Sequence, residues 1–86
     1  MSFKVLIHPR VIKKAKKYLT KSQRTKLSNF LKALEENPIP PGCDIKKLSQ
    51  RRNAYRFRIG KYRVIYFVFW DEKIVEVHDL EHRESA

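Results

Sequence analysis

Phe3, Val5 and Ile7 alternate with Lys4, Leu6 and His8, a period of two that predicts a short strand with one apolar side. Pro9 follows, carrying the backbone angle favoured at a first helical position. Val11, Ile12, Ala15, Tyr18 and Leu19 then recur at helical spacing, while Arg10, Lys13, Lys14, Lys16 and Lys17 cover the rest of the cylinder. That predicts a short, basic first helix. A second helix opens at Thr20, which makes a capping box with Gln23, and its apolar stripe is Leu27, Phe30, Leu31 and Leu34. It stops before Asn37 and Pro38, because proline disfavours helical geometry in the residue preceding it. So short a link between the helices predicts an antiparallel hairpin whose stripes face a common core.

The run Pro38-Ile39-Pro40-Pro41-Gly42 reads as a rigid connector, followed by a loop anchored by Ile45 and Leu48 that carries Lys46, Lys47, Arg51 and Arg52. From Ala54 the period returns to two. Tyr55, Phe57 and Ile59 alternate with Arg56 and Arg58; Gly60 and Lys61 form a tight turn with glycine first; Tyr62 to Trp70 makes a long strand. After a turn at Asp71 to Lys73, Ile74 to Leu80 forms the last strand. The order β-α-α-β-β-β predicts an α+β fold, with a helical hairpin packed on one face of a largely antiparallel four-stranded sheet. A chain of 86 residues supports one core, so residues 1–86 are read as a single domain.

Charge alters the picture most. Twenty Lys and Arg against nine Asp and Glu leave a net charge of +11, which repels itself unless a polyanion or an acidic partner neutralises it. Nucleic acid is the leading expectation, an acidic protein the next, and a solvated basic surface the plain alternative. The single cysteine, Cys43, has no internal disulfide partner, and three histidines without spaced cysteines give no zinc pattern, which fits a reducing, cytoplasmic setting. The longest apolar run, Val64 to Trp70, is too short to cross a bilayer, and the N-terminal segment lacks the apolar stretch of a secretory signal.

Closing the hairpin at Gly60 and Lys61 sets Arg58 opposite Arg63 and places Arg56, Arg58 and Arg63 together on the side away from the aromatic core. Like charges directly opposed on neighbouring strands sit about 5 Å apart and destabilise the sheet by up to about 1 kcal/mol. Guanidinium groups gathered at that cost suit phosphate, whose oxygens their donor forks bind in pairs. For one arginine alone, a solvated strand face with Glu76 or another acid as partner explains as much. It does not explain the opposed pair.

His82 and Arg83 follow the predicted last strand, on a segment able to fold back toward the sheet. His82 suits proton transfer near neutrality and Arg83 a charged transition state, although a His-Arg pair in a tail is ordinarily just solvated. His78 lies within a strand and reads as structural; His8 is uninformative. Without a Gly-rich phosphate loop, a nucleophile elbow or a carboxylate cluster able to hold magnesium, no cofactor and no metal are expected, and RNA cleavage would be metal-independent.

The element order, the segment Asp44-Ile45-Lys46-Lys47-Leu48, the run from Tyr55 to Tyr66 and the terminal His82-Arg83 resemble the RelE/ParE toxin superfamily, and the short archaeal RelE proteins in particular. The likeness spans almost the whole chain, with the hairpin its most specific part. It implies a toxin of a type II toxin-antitoxin system: a ribosome-dependent endoribonuclease that cuts messenger RNA when a ribose 2′-hydroxyl attacks the adjacent phosphate. Carried over by position, Arg56, Arg58, Arg63 and Arg83 are its basic site residues, with Lys46, Lys47, Arg51 and Arg52 as further RNA contacts, and an acidic antitoxin is the expected partner. The ParE branch implies instead a non-enzymatic inhibitor of DNA gyrase; a catalytically weak RNA-binding module is the third reading. Several bacterial members carry lysines where this chain has Arg56 and Arg58, and a tyrosine where it has Glu84 and Ser85. Arginine is a poor general base, so acid-base help is expected from His82, from a ribosomal group, or from orientation alone, with activity reduced accordingly.

Overall fold

Two short stretches of helix-forming sequence sit between β-branched and aromatic runs, and the computed structural model, which describes residues 2–49 and 51–82, follows that division. Strand β1 (Lys4–Ile7) leads into α1 (Pro9–Tyr18) and α2 (Lys21–Leu34), then β2 (Ile45–Lys47), β3 (Ala54–Ile59), β4 (Tyr62–Phe69) and β5 (Ile74–His82). The ring of His8 caps α1 by accepting the Arg10 N–H at 3.1 Å. Thr20 and Gln23 complete the expected capping box of α2, at 3.2 Å and 3.0 Å.

The sheet has five strands in the order β1-β5-β4-β3-β2. β1 runs parallel to β5, and the other neighbours are antiparallel. The α+β class and the meander stand as expected, while the strand count of four is corrected to five. The added strand, β2, lies where a loop was expected, pairing Ile45 with Phe57 and Lys47 with Tyr55. Three residues give too few alternations to reveal a strand, and its two lysines are the kind of residue that keeps an edge from pairing with another chain. β5 also runs two residues past Leu80, so His82 is its last residue rather than part of a returning tail.

Both helices lie on one face. Phe30 of α2 stacks on Phe57 of β3 with ring centroids 3.9 Å apart, and meets Tyr66 of β4 edge-on at 5.5 Å. Val11 and Ala15 bring α1 to the same core, which Val64, Val68, Val75, Val77 and Leu80 complete. Buried Tyr66 donates its hydroxyl to the Pro38 carbonyl at 2.9 Å, tying the proline-rich connector to the sheet. Burial pushes that phenol well above its ordinary value. Gly60 turns the β3–β4 hairpin at φ +55°, and a Cβ there would lie 2.7 Å from the Gln23 amide nitrogen. Glycine is thus favoured by both angle and space.

α1 is tied to β5 by Lys14, whose ammonium lies 2.8 Å from the Asp79 carboxylate. Partial burial pushes the Asp79 carboxyl up, but the hydrogen bonds from Lys14 and the Leu80 N–H, with the charges of Lys14 and Arg10, outweigh it and hold the group below its ordinary value. A carboxyl lowered by folding stabilises the fold above its unfolded pKa and loses that contribution as pH falls through the folded value. Asp79→Asn should therefore be less stable than the parent at neutral pH, with the gap closing below about pH 4; urea midpoints measured across that range check it. Phe30→Ala, which removes the ring between β3 and β4, should cost about 3–5 kcal/mol in the same assay.

Candidate nucleic-acid interface

Alternation along β3 and β4 sends Tyr55, Phe57, Ile59, Tyr62, Val64 and Tyr66 under the helices, and therefore turns Arg56, Arg58, Arg63 and Ile65 to the uncovered face. Arg58 pairs with Arg63 in register, Arg63 with Glu81, and the Arg58 N–H bonds the Asp44 carbonyl at 3.0 Å. One row across the sheet thus reads Asp44, Arg58, Arg63, Glu81. Arg58 lies 2.7 Å from the Asp44 carboxylate, which also takes Arg56 at 3.2 Å. Arg63 gives Nε and Nη2 to Glu81 Oε1, both at 3.3 Å.

The reading that a strand face with acidic partners does not account for the opposed pair is therefore corrected. Each arginine has one, and the partners are Asp44 and Glu81; Glu76 sits elsewhere, opposite Phe67 and Leu6. Flanking carboxylates are how the strands tolerate two adjacent guanidinium groups. The side chains of Asp44 and Arg58 are 45% and 44% exposed, and exposed pairs of this kind contribute little to stability, so phosphate oxygens can replace them without unfolding the sheet. The hydrogen bond from Arg56, with the charges of Arg58 and Arg56, holds the Asp44 carboxyl below its ordinary value against desolvation.

Beside that row, Lys46 lies opposite Arg56, and Arg56 opposite Ile65. Here the face hollows into an open cleft of about 530 Å³, lined by Lys46, Lys47, Arg51, Arg56, Arg63, His78 and Glu81 over Leu48 and the buried Ile65. Four of the anticipated RNA contacts, Lys46, Lys47, Arg51 and Arg56, meet there with Arg63. Arg58 stands outside the lining, on the Asp44 side, and Arg52 lines a shallower hollow with Lys47, Ser49 and Arg51. Arg83 lies outside the described residues. Among the described residues, no group of three or more His, Cys, Asp and Glu is placed to hold a metal ion, and no helix is long and apolar enough to cross a membrane.

His82 is not brought to this cleft. It pairs with Tyr62 at the end of β5, its ring edge-on to that tyrosine at 5.2 Å, in a second hollow with Lys14, Tyr18 and Asp79 that borders the cleft at Glu81. The histidine that reaches the cleft is His78, read from the chain as structural. A register shift opposite Ile65 and Tyr66, which pair with Asp79 and Val77, leaves His78 as the extra residue of a β-bulge. The signal was present: Val75 and Val77 alternate with Glu76 and His78, while Val77 and Leu80, both apolar but three apart, mark an irregularity that turns His82 to the other face.

Residues 5–86 match the model of a family described as the ParE toxin of the type II toxin-antitoxin system parDE. The chain is 42% identical to the RelE1 protein of Methanocaldococcus jannaschii over 87 residues, covering all of this chain and 96% of that one. Its structure is similar to a chain of the archaeal RelE-RelB complex from Pyrococcus horikoshii, with a TM-score of 0.83 and 35% identity over the whole of both chains. It is also similar to a chain of the RelB-RelE complex from Methanococcus jannaschii, with a TM-score of 0.72 and 25% identity over 93% of this chain and 92% of that one.

Because Asp44 occupies two of the face's arginines, Asp44→Asn should bind a short single-stranded RNA more tightly than the parent, with a steeper dependence of affinity on salt. Fluorescence anisotropy across a salt series measures both.

Proposed function

The chain belongs to the RelE/ParE family of type II toxin-antitoxin toxins, and from that premise we propose that it is a ribosome-dependent endoribonuclease that cuts messenger RNA in the cleft on its open sheet face. The observation that carries the reading is the convergence of Lys46, Lys47, Arg51, Arg56 and Arg63 on one cleft where, among the described residues, Glu81 is the only acidic lining residue. Phosphate complements that charge. Arg56 and Arg63 project from neighbouring strands, so their guanidinium groups are held in place before the RNA arrives.

In the proposed reaction the 2′-oxygen of one ribose attacks the adjacent phosphorus. The new O2′–P bond forms as the O5′–P bond breaks, leaving a 2′,3′-cyclic phosphate and a free 5′-hydroxyl. Charge builds on the non-bridging oxygens of the phosphorane, where the donor forks of Arg63 and Arg56 stabilise it. Arg58 extends the basic face on one side, and Arg51 with Arg52 extends it on the other. Arg83 joins them as a basic residue by its family position. The ribosome supplies orientation of the message. No metal or cofactor is assigned a part.

The relatives from Pyrococcus horikoshii and Methanococcus jannaschii were solved in complexes with RelB. An acidic antitoxin of that kind, covering the cationic face, is the proposed partner here.

A second reading is favoured by the ParE description of the matching family model: inhibition of DNA gyrase by binding alone. The lesion separates the two, since cut messages and halted translation support the first, whereas damaged DNA with intact messages supports the second. On programmed ribosomes, Arg63→Ala should lower the rate of messenger cleavage by about 10²-fold or more while leaving the melting temperature close to the parent's. Cleavage at the parental rate would remove Arg63 from the mechanism.

A further inference from the structure

Resting on the RNA-cleavage reading, we propose that His78 is the side chain that takes the proton from the attacking 2′-hydroxyl. The cleft holds several cations but few groups able to accept a proton. Arginine does not give its proton up in proteins, so Arg51, Arg56 and Arg63 can bind and stabilise without acting as base. Glu81 receives two hydrogen bonds from Arg63 on one carboxylate oxygen. His78 is the remaining lining residue whose type ordinarily exchanges protons near neutrality.

Its face follows from alternation with Val75 and Val77, and the bulge after it carries Leu80 and His82 to the helix side. Val77 and Leu80 both reach the core, Asp79 turns to Lys14 of α1, and His78 stands on the open face. There the imidazole meets Phe67 edge-on, with ring centroids 5.5 Å apart, a contact that limits its rotation. Tyr62 and His82 line the other hollow, which Glu81 also borders, and neither lines the cleft.

The step balances without a co-reactant. Neutral His78 removes the 2′-hydroxyl proton as the O2′–P bond forms, and the departing 5′-oxygen takes a proton from water. Imidazolium then returns its proton to solvent.

The test compares the parent with His78→Ala, His78→Gln, His82→Ala and Arg63→Ala on programmed ribosomes, measuring cleavage rate, ribosome binding and thermal melting for each. Both His78 variants should bind and melt like the parent yet cleave about 10²-fold or more slowly, His82→Ala should cleave like the parent, and added imidazole should partly restore His78→Ala alone. Chemical rescue is a result that a purely structural histidine would not give. Parental cleavage by His78→Gln, or equal loss of binding in both His78 variants with no response to imidazole, overturns the proposal while leaving the nuclease reading intact. Absence of cleavage by the parent itself overturns both.

Discussion

Phe30 lies nearly flat on Phe57, with 15° between the rings, and this contact determines which face of the sheet is covered. A helix docked there draws Tyr55, Val64 and Tyr66 into the same apolar layer, and Tyr66 in turn holds the connector through Pro38. Because strand side chains alternate, burying those residues obliges Arg56, Arg58 and Arg63 to stand on the opposite face. The basic surface is thus a geometric consequence of the aromatic core. Two short helices are too few to cover both sides, so the cationic side stays open to a large partner.

Leaving that side open brings an electrostatic difficulty, which the structure meets at the ends of the row. Asp44 and Glu81 bracket Arg58 and Arg63, so the adjacent like charges each have a neutralising neighbour. The same carboxylates compete with any phosphate that approaches. A surface pair is weak in water, however, and a polyanion that engages several cations at once and releases their counterions has the advantage. Folding and RNA binding can therefore draw on the same arginines in turn.

Membership in the toxin family accounts for the scaffold and the cationic face, but the proposed proton chemistry rests on features local to this chain. Arg56 and Arg58 can hold a phosphate and cannot act as base. Alternation from Val75 and Val77 brings the imidazole of His78 to the cleft, and the bulge after it takes His82 away. His82, although adjacent in sequence to a family site residue, extends β5 and faces Tyr62.

Periodicity and local residue chemistry determined both helices, the start at Pro9, the cap at Thr20, the hairpin about Gly60 and the Arg58–Arg63 register, because each depends on contacts between residues close in sequence. The α+β class followed from their order. β2 was not legible, since three residues acquire strand geometry only from the edge of β3 beside them. Nor were the parallel pairing of β1 with β5 or the partners Asp44 and Glu81, and the spacing of Val77 and Leu80 hinted at a bulge without saying which histidine would reach the cleft. Those depend on register between segments far apart in the chain, where a single extra residue moves a side chain to the other face, and only the assembled sheet decides that.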